Sequence, residues 1–236
     1  MKPLGKPVVK TLAIDTSLAT GAVAAIDGDR MAVRSLPTAG EHARLLAATI
    51  EAVAAELGWR PAAVELVAVI RGPGSFTGLR VGVTAAKALC WATGSRLLGV
   101  SSCEVIARGT AAAVERHDAP VTVAYDAGRG EVFAALVMPD EGSPSGWRTE
   151  AGRLVAADDW LVGMAPGGIV TGPALALLTD ALAGRPDLVV APQTAWLPAI
   201  ADLGHIALLR AAAGEADDTA SLVPDYIRVS YADEKR

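Results

Sequence analysis

The chain has 236 residues, 52% of them hydrophobic and 20% charged, with a formal net charge of −5 at pH 7. That composition excludes a disordered polymer and argues against an autonomous nucleic-acid binder, which needs clustered Lys and Arg to neutralise phosphate. The length suits one large domain or two small ones, and with only 2 Phe and 3 Tyr the core must be aliphatic and its helices closely packed.

Lys2, Lys6 and Lys10 give a basic start, but Pro3, Gly5 and Pro7 interrupt it, so it does not read as a secretory signal. Met1 to Pro7 reads as a short flexible extension. No run reaches about 18 uninterrupted apolar residues, so no transmembrane helix is expected. Cys90 and Cys103 form no C-x-x-C pair and read as reduced thiols of a cytoplasmic protein.

Val8 to Ile14 is an apolar run that predicts a buried strand ending at Asp15. A turn follows at Asp15-Thr16-Ser17 with Gly21, then a strand over Ala22 to Ile26. Asp27-Gly28-Asp29 is a hairpin signal leading to a third strand, Met31 to Leu36. Leu46, Ile50, Val53 and Leu57 recur on one helix face, predicting a helix over Glu41–Leu57 that Gly58 stops. Leu66 to Ile70 predicts a strand, Gly78 to Thr93 a helix and Arg96 to Val100 a strand. Ser101-Ser102 opens a further helix with Glu104 in its first turn.

The order then restarts. Val121 to Tyr125 reads as a strand ending at Asp126, with Ala127-Gly128-Arg129-Gly130 as its turn. Val132 to Val137 and Trp147 to Leu154 read as the next two strands. Ala157 to Val162 is a short helix, Ile169 to Thr171 a strand, Ala174 to Leu182 a helix, Leu188 to Ala191 a strand and Ile200 to Ala213 a closing helix. The fold class is therefore α/β, a duplicated βββαβαβα unit. Residues 1–115 form one subdomain and 116–236 a smaller one, with the final helix and tail available to pack back on the first.

The segment Arg71-Gly72-Pro73-Gly74-Ser75-Phe76-Thr77-Gly78-Leu79-Arg80 joins a strand to a helix. Glycine permits φ > 0 and close backbone approach, Pro73 pre-sets a turn, and Thr77 can cap the helix. Such a loop serves as a phosphate cradle, a tight turn or a docking surface, and the pattern alone leaves the three open. Ser75 and Thr77 have no neighbouring His or Lys in sequence to activate them as nucleophiles, so cap and turn roles are expected. His42, His117 and His205 never fall four apart, so no helical metal pair exists. His42 reads as exposed or capping. Trp147, Trp160 and Trp196 read as packing residues, since no basic residues interleave with them.

The duplicated unit with an Asp closing each first strand resembles the actin, Hsp70 and sugar-kinase superfamily, whose fold is ribonuclease H-like. Within it, Leu12-Ala13-Ile14-Asp15-Thr16-Ser17, the Arg71–Arg80 segment, Asp126-Ala127-Gly128-Arg129-Gly130-Glu131-Val132-Phe133 and Pro224-Asp225-Tyr226-Ile227-Arg228 together resemble the TsaB (YeaZ) family. The resemblance implies a non-catalytic paralogue of the threonylcarbamoyl transferase TsaD. That assembly forms N6-threonylcarbamoyladenosine at position 37 of tRNAs reading ANN codons. The H-x-x-x-H metal motif of TsaD is missing here. The implied partners are a TsaD-like catalytic subunit, a TsaE-like ATPase, and tRNA only through the complex, with no membrane; alone, the chain is expected to pair with itself. No cofactor of its own is implied, and ATP or ADP would sit at the complex interface.

The resemblance places the partner surface on the helices Glu41–Leu57 and Gly78–Thr93. Gly78, Gly82 and Ala86, with Ala85 beside them, form a small-residue ridge; Ala43, Ala47 and Ala54 form a second strip. The ridge could equally pack against the protein's own sheet. Asp15, Thr16 and Ser17, then Gly72, Gly74, Ser75 and Thr77, then Asp126 and Gly128, are candidate vestigial phosphate loops, each also readable as an ordinary turn. Gly167-Gly168-Ile169-Val170-Thr171-Gly172-Pro173 resembles the superfamily's adenosine-binding element, constrained by Pro173 and with the same alternative. Two competing functions arise: from the superfamily, an ATP-dependent phosphotransferase using Asp15 and Asp126 around magnesium; from the resembled family, once described so, a peptidase, for which no triad is evident. Tyr226 and Arg228 would dock the tail or meet the partner.

Overall fold

The computed structural model describes residues 9–227; the Met1–Pro7 extension and Arg228 lie outside them. The chain divides into two compact units, and the division falls between Val100 and Ser101 rather than at residue 116. The first unit holds residues 9–71, 75–100 and 203–224; the second holds 72–74, 101–202 and 225–227.

In the first unit, Thr11–Asp15 (β1), Gly21–Asp27 (β2), Arg30–Leu36 (β3), Leu66–Gly72 (β4) and Arg96–Ser101 (β5) make a five-stranded sheet in the order β3-β2-β1-β4-β5. The apolar run of β1 is wholly buried because it is the central strand, parallel to β4 and antiparallel to β2. At the edge, β3 keeps only Ala32 and Leu36 buried, the alternation of a strand wet on one face. Asp27 and Arg30 close the β2–β3 hairpin around Gly28, whose φ of 63° the turn requires.

Helix α1 (His42–Glu56) buries Leu46, Ile50, Val53 and Ala54 in this core. Helix α2 (Phe76–Thr93) buries Leu79, Val83, Ala86 and Cys90. Ser75, not Thr77, is the N-cap of α2: its hydroxyl accepts from Gly78 N at 3.3 Å. The segment 203–224 completes the unit. Lys87 Nζ donates to the carbonyls of Ala220 and Leu222 at 3.0 and 2.9 Å, and the side chain of Leu222 lies over Gly99.

The second unit repeats the order. Val121–Gly128 (β6), Glu131–Pro139 (β7), Trp147–Thr149 (β8), Arg153–Ala156 (β9), Ile169–Thr171 (β10) and Val189–Val190 (β11) give β11-β10-β6-β7-β8, with β9 also on β7. Both sheets thus share one strand sequence, the duplicated ribonuclease H-like arrangement of the actin superfamily. Helix α3 (Ser102–Ala113) belongs here because its buried side, including Val105 and Thr110, packs on β6 and β7. That is why the division precedes residue 116. Thr110 Oγ1 donates to Thr171 Oγ1 at 3.0 Å, and Thr171 Oγ1 donates to Ala195 O at 3.0 Å.

Two predicted elements are broken. The single strand expected over Trp147 to Leu154 is β8 and β9, separated at residues 150–152, where the Phe133 ring fills the space a side chain at Gly152 would need. The helix expected over Ala174 to Leu182 is a 3-10 turn, Pro173–Leu177, followed by α5 (Thr179–Ala183), because Leu178 leaves helical angles at φ −114°. Helices α4 (Ala157–Gly163) and α6 (Ile200–Ala212) stand where the sequence puts them. Among the described residues no helix is long and apolar enough to cross a membrane.

Candidate functional site

Helices α1 and α2 lie side by side in the first unit and leave an apolar groove of about 760 Å³ between them. Ala43 and Ala47 of α1 line it with Val81, Ala85 and Ala88 of α2. The spacing of Thr77, Val81, Thr84 and Ala88 sets one stripe of small or branched side chains along the outer side of α2. Phe76 is 42% exposed at one end, with the Arg80 guanidinium carbon 5.3 Å from its ring centroid. In the last turn of α2, Trp91 is 89% exposed. An exposed apolar groove with Phe76 at one end, and the exposed Trp91 farther along α2 outside its lining, is the kind of surface a partner side chain fills.

The ridge expected to meet the partner is not this stripe. Gly78, Gly82 and Ala86 are all buried. A Cβ at Gly78 would stand 2.0 Å from the Thr16 carbonyl oxygen, and one at Gly82 would stand 2.4 Å from Thr16 Oγ1. These glycines let α2 press onto the β1–β2 loop, the intramolecular packing that the ridge also allowed. Ala54 is likewise buried, beside Val53 and Trp59. Of the seven proposed partner residues, Ala43, Ala47 and Ala85 line the groove; Ala54, Gly78, Gly82 and Ala86 do not. The sequence reading did not single out Phe76, Val81, Thr84, Ala88 or Trp91, although the last four fall at 3- and 4-residue spacing.

The same packing occupies the first phosphate-loop candidate. Asp15, Thr16 and Ser17 are buried, Thr16 Oγ1 donates to Gly78 O at 2.7 Å, and Ser75 N donates to Ser17 O at 2.7 Å. Asp15 Oδ1 accepts from Ser17 N at 2.8 Å. Burial holds the Asp15 carboxyl above its ordinary range, opposed by hydrogen bonding from Ser17 and by the charge of His42. His42, expected to be exposed or capping, is wholly buried at the start of α1, and Gly21 leaves room for its ring: a Cβ there would be 3.2 Å from His42 Cε1.

In the second unit, Gly72 and Pro73 are buried, and a Cβ at Gly72 would lie 2.2 Å from the Asp225 carbonyl oxygen. Gly74 is half-buried, and Thr77 is exposed at the groove. Asp126 is exposed and sits inside β6, which continues to Gly128 through a bulge; its Oδ1 accepts from Gly128 N at 2.8 Å. Arg129 and Gly130, at φ 59° and 78°, form the two-residue turn into β7. Gly172, within the candidate adenosine element, presses on Ala124, whose carbonyl oxygen would be 2.4 Å from a Cβ there. Trp147 and Trp160 are buried, and Trp196 donates its indole N–H to Ala191 O at 2.8 Å. Among the described residues no three His, Cys, Asp or Glu side chains gather to hold a metal.

The family model described as TsaD, tRNA N6-adenosine threonylcarbamoyltransferase, matches residues 37–140. The chain is 29% identical over 234 residues to the tRNA threonylcarbamoyladenosine biosynthesis protein TsaB of Bacillus subtilis (strain 168), covering 95% of this chain and 96% of that protein. It is 31% identical over 145 residues to the protein of the same name in Escherichia coli (strain K12), covering 61% of this chain and 62% of the relative. The solved structure of YeaZ from Pseudomonas aeruginosa superposes with a TM-score of 0.76 at 24% identity, covering 93% of this chain and all of that one, and so shares its fold.

Proposed function

The chain belongs to the TsaB (YeaZ) family, and from that premise we propose that it is the non-catalytic partner subunit of the assembly that makes N6-threonylcarbamoyladenosine on tRNA. Its role lies in tRNA threonylcarbamoyladenosine biosynthesis, the process its relatives are named for. The observation that carries the finer reading is the open apolar groove between α1 and α2.

In this reading a TsaD-like subunit seats apolar side chains between Ala47 and Ala88, with Phe76 and Trp91 gripping its rim. The partner supplies the metal, the chemistry and most tRNA contacts. The chain activates it by binding its competent conformation better than the alternative, which is all that population shift requires. The paired subunits then offer the surface on which a TsaE-like ATPase docks, and ATP or ADP belongs to that assembly. In the absence of the partner, two copies bury their grooves against each other. The phosphotransferase alternative loses support, since the Asp15–Ser17 loop is filled by α2 and Asp126 is spent inside a hairpin.

Reconstitution tests this: threonylcarbamoyl transfer to tRNA is assayed with the TsaD-like subunit, with and without this chain. Transfer should require the chain, and the double variant Ala47→Arg, Ala88→Arg should fold normally yet fail to support it. Undiminished transfer with that folded variant would remove the groove from the mechanism.

A further inference from the structure

Helices α1 and α2 begin at the same end of the first sheet. The ring of His42, the first residue of α1, lies over Gly21, and Gly78, in the first turn of α2, lies against the Thr16 carbonyl. Both therefore start on the β1–β2 loop and run side by side in one direction. At 1.5 Å per residue, Arg80 stands about 3 Å past that starting level on α2, and Glu51 about 13 Å past it on α1. Both side chains line the groove and both are exposed. The guanidinium and the carboxylate thus occupy diagonally opposite corners, about 10 Å apart along the groove.

These two charges are also the unpaired ones. Elsewhere on α1 and α2, Arg44 is paired with Glu41 and Glu56 with Arg34, while Lys87 donates to the carbonyls of Ala220 and Leu222. Glu51 and Arg80 have no ion pair among the described residues, and Arg80 lies over the Phe76 ring. An apolar groove with a free anion at one corner and a free cation at the other calls for the reverse pattern in its occupant. A half-turn about an axis through the middle of the groove, perpendicular to it, generates that pattern from the groove itself.

We propose that the groove is self-complementary: two copies of the chain pair through it about a two-fold axis, with Glu51 of each copy over Arg80 of the other. The half-turn sets α1 of one copy antiparallel to α2 of the other. Each step of four residues along α1 is then answered by a step of four the opposite way along α2. Ala47 meets Thr84 and Ala43 meets Ala88, small side chains that let the helices approach closely. At the far ends Phe76 falls on the exposed Ala55, and Trp91 on the exposed Gly40 before α1, where nothing lies within 4 Å of a Cβ position. Each bare aromatic meets a position with little or no side chain, the anchoring an isologous interface needs. The proposal rests on the reading of the groove as an interface, and adds to it a register and the two residues that select it.

Sedimentation equilibrium of the full chain, alone, is the test, with Glu51→Arg, Arg80→Glu and the double exchange carrying both. These positions are exposed, so the fold is kept, and circular dichroism checks it. The parent should dimerise. Either single variant sets like charges together at two places and should weaken self-association about tenfold or more. The double exchange should restore it. An equimolar mixture of the two single variants should restore it as well, because every like pair becomes an opposite one. A parent that is monomeric at millimolar concentration overturns the proposal, as does a single variant that dimerises as tightly as the parent. It is equally overturned if the double exchange or the mixture associates no better than the single variants. The catalytic subunit's use of the groove is decided separately: loss of transfer in the Ala47→Arg, Ala88→Arg variant would keep that reading even where self-pairing failed.

Discussion

Placing a methyl group on the inner face of α2 separates two accounts of its glycines. In Gly82→Ala the new Cβ would meet Thr16 Oγ1 at 2.4 Å and Val69 Cγ2 at 3.4 Å. The first contact is about 1 Å too short, so Thr16 must swing away and lose its 2.7 Å bond to Gly78 O. Losing the bond costs about 0.5–1.5 kcal/mol, and overpacking costs about 1–3 kcal/mol. Alanine returns about 1 kcal/mol of helix propensity. The net is a destabilisation of about 2 kcal/mol. Gly78→Ala should be worse, because the clash there is with the carbonyl oxygen of Thr16, a backbone atom that cannot rotate aside. Urea unfolding of the first unit is the assay. At a slope of about 2 kcal/mol per M, Gly82→Ala should lower the midpoint by about 1 M. The control Ala88→Ser, on the exposed side of α2, should stay within about 0.5 kcal/mol of the parent. If Gly82→Ala unfolded at the parent midpoint yet lost its partner, the glycines would face outward after all and the packing argument would be refuted.

Further outcomes follow from the same contacts. Because burial raises the Asp15 pKa in the folded state, the stability this group contributes is full below the ordinary carboxylate value and is lost as pH rises through the raised one. The stability of the parent relative to Asp15→Asn should therefore decline from acid towards neutral pH; a constant difference in urea midpoints across that range would contradict the assignment. The Cys103 thiol is pushed up to about 12 by burial, and Cys90 is raised for the same reason. Neither should react with iodoacetamide at neutral pH until denaturant is added, which mass spectrometry reads directly. Thr171→Val removes the donor to Ala195 O and the nearer acceptor of Thr110, whose hydroxyl keeps Ala195 O at 3.3 Å, and should cost about 0.5–1.5 kcal/mol in thermal or urea unfolding. Trp91→Ser, at a site 89% exposed, should leave stability unchanged and weaken partner affinity by more than about 1 kcal/mol, measured by calorimetry.

The sheet skeleton was legible because its signals are local. The unbroken apolar run of β1 marks a central strand, the Asp27–Asp29 turn marks a hairpin, and Leu46, Ile50 and Val53 mark the buried side of α1. The orientation of α2 was not legible in the same way. Its sequence is small on two sides, and glycine and alanine carry too little hydrophobic contrast to say which side the loop at Thr16 would claim. The broken third strand of the second unit depends on the Phe133 ring reaching over Gly152, a contact between residues on different strands that no pattern within either one reveals. His42 was misread because a histidine at a helix start usually caps it, whereas here the absence of a side chain at Gly21 makes room for the ring below the surface. Ala43, Ala47 and Ala85, singled out from small-residue spacing and family resemblance, line the groove, whereas Phe76 at its end emerges only from three-dimensional packing.

The assignment of residues 203–224 to the first unit bears on how the polypeptide matures as it leaves the ribosome. Gly204 of α6 sits against β2, where even a Cβ would come within 2.2 Å of Ile26 Cδ1, so the first sheet stays uncovered there until that helix emerges. At synthesis rates of about 5–20 residues per second, the intervening hundred or so residues hold it in that state for about 5–20 s. A nascent chain stalled or truncated ahead of Leu203 would present an open β-surface to its neighbours, and so should depend on holdase chaperones far more than the finished protein does.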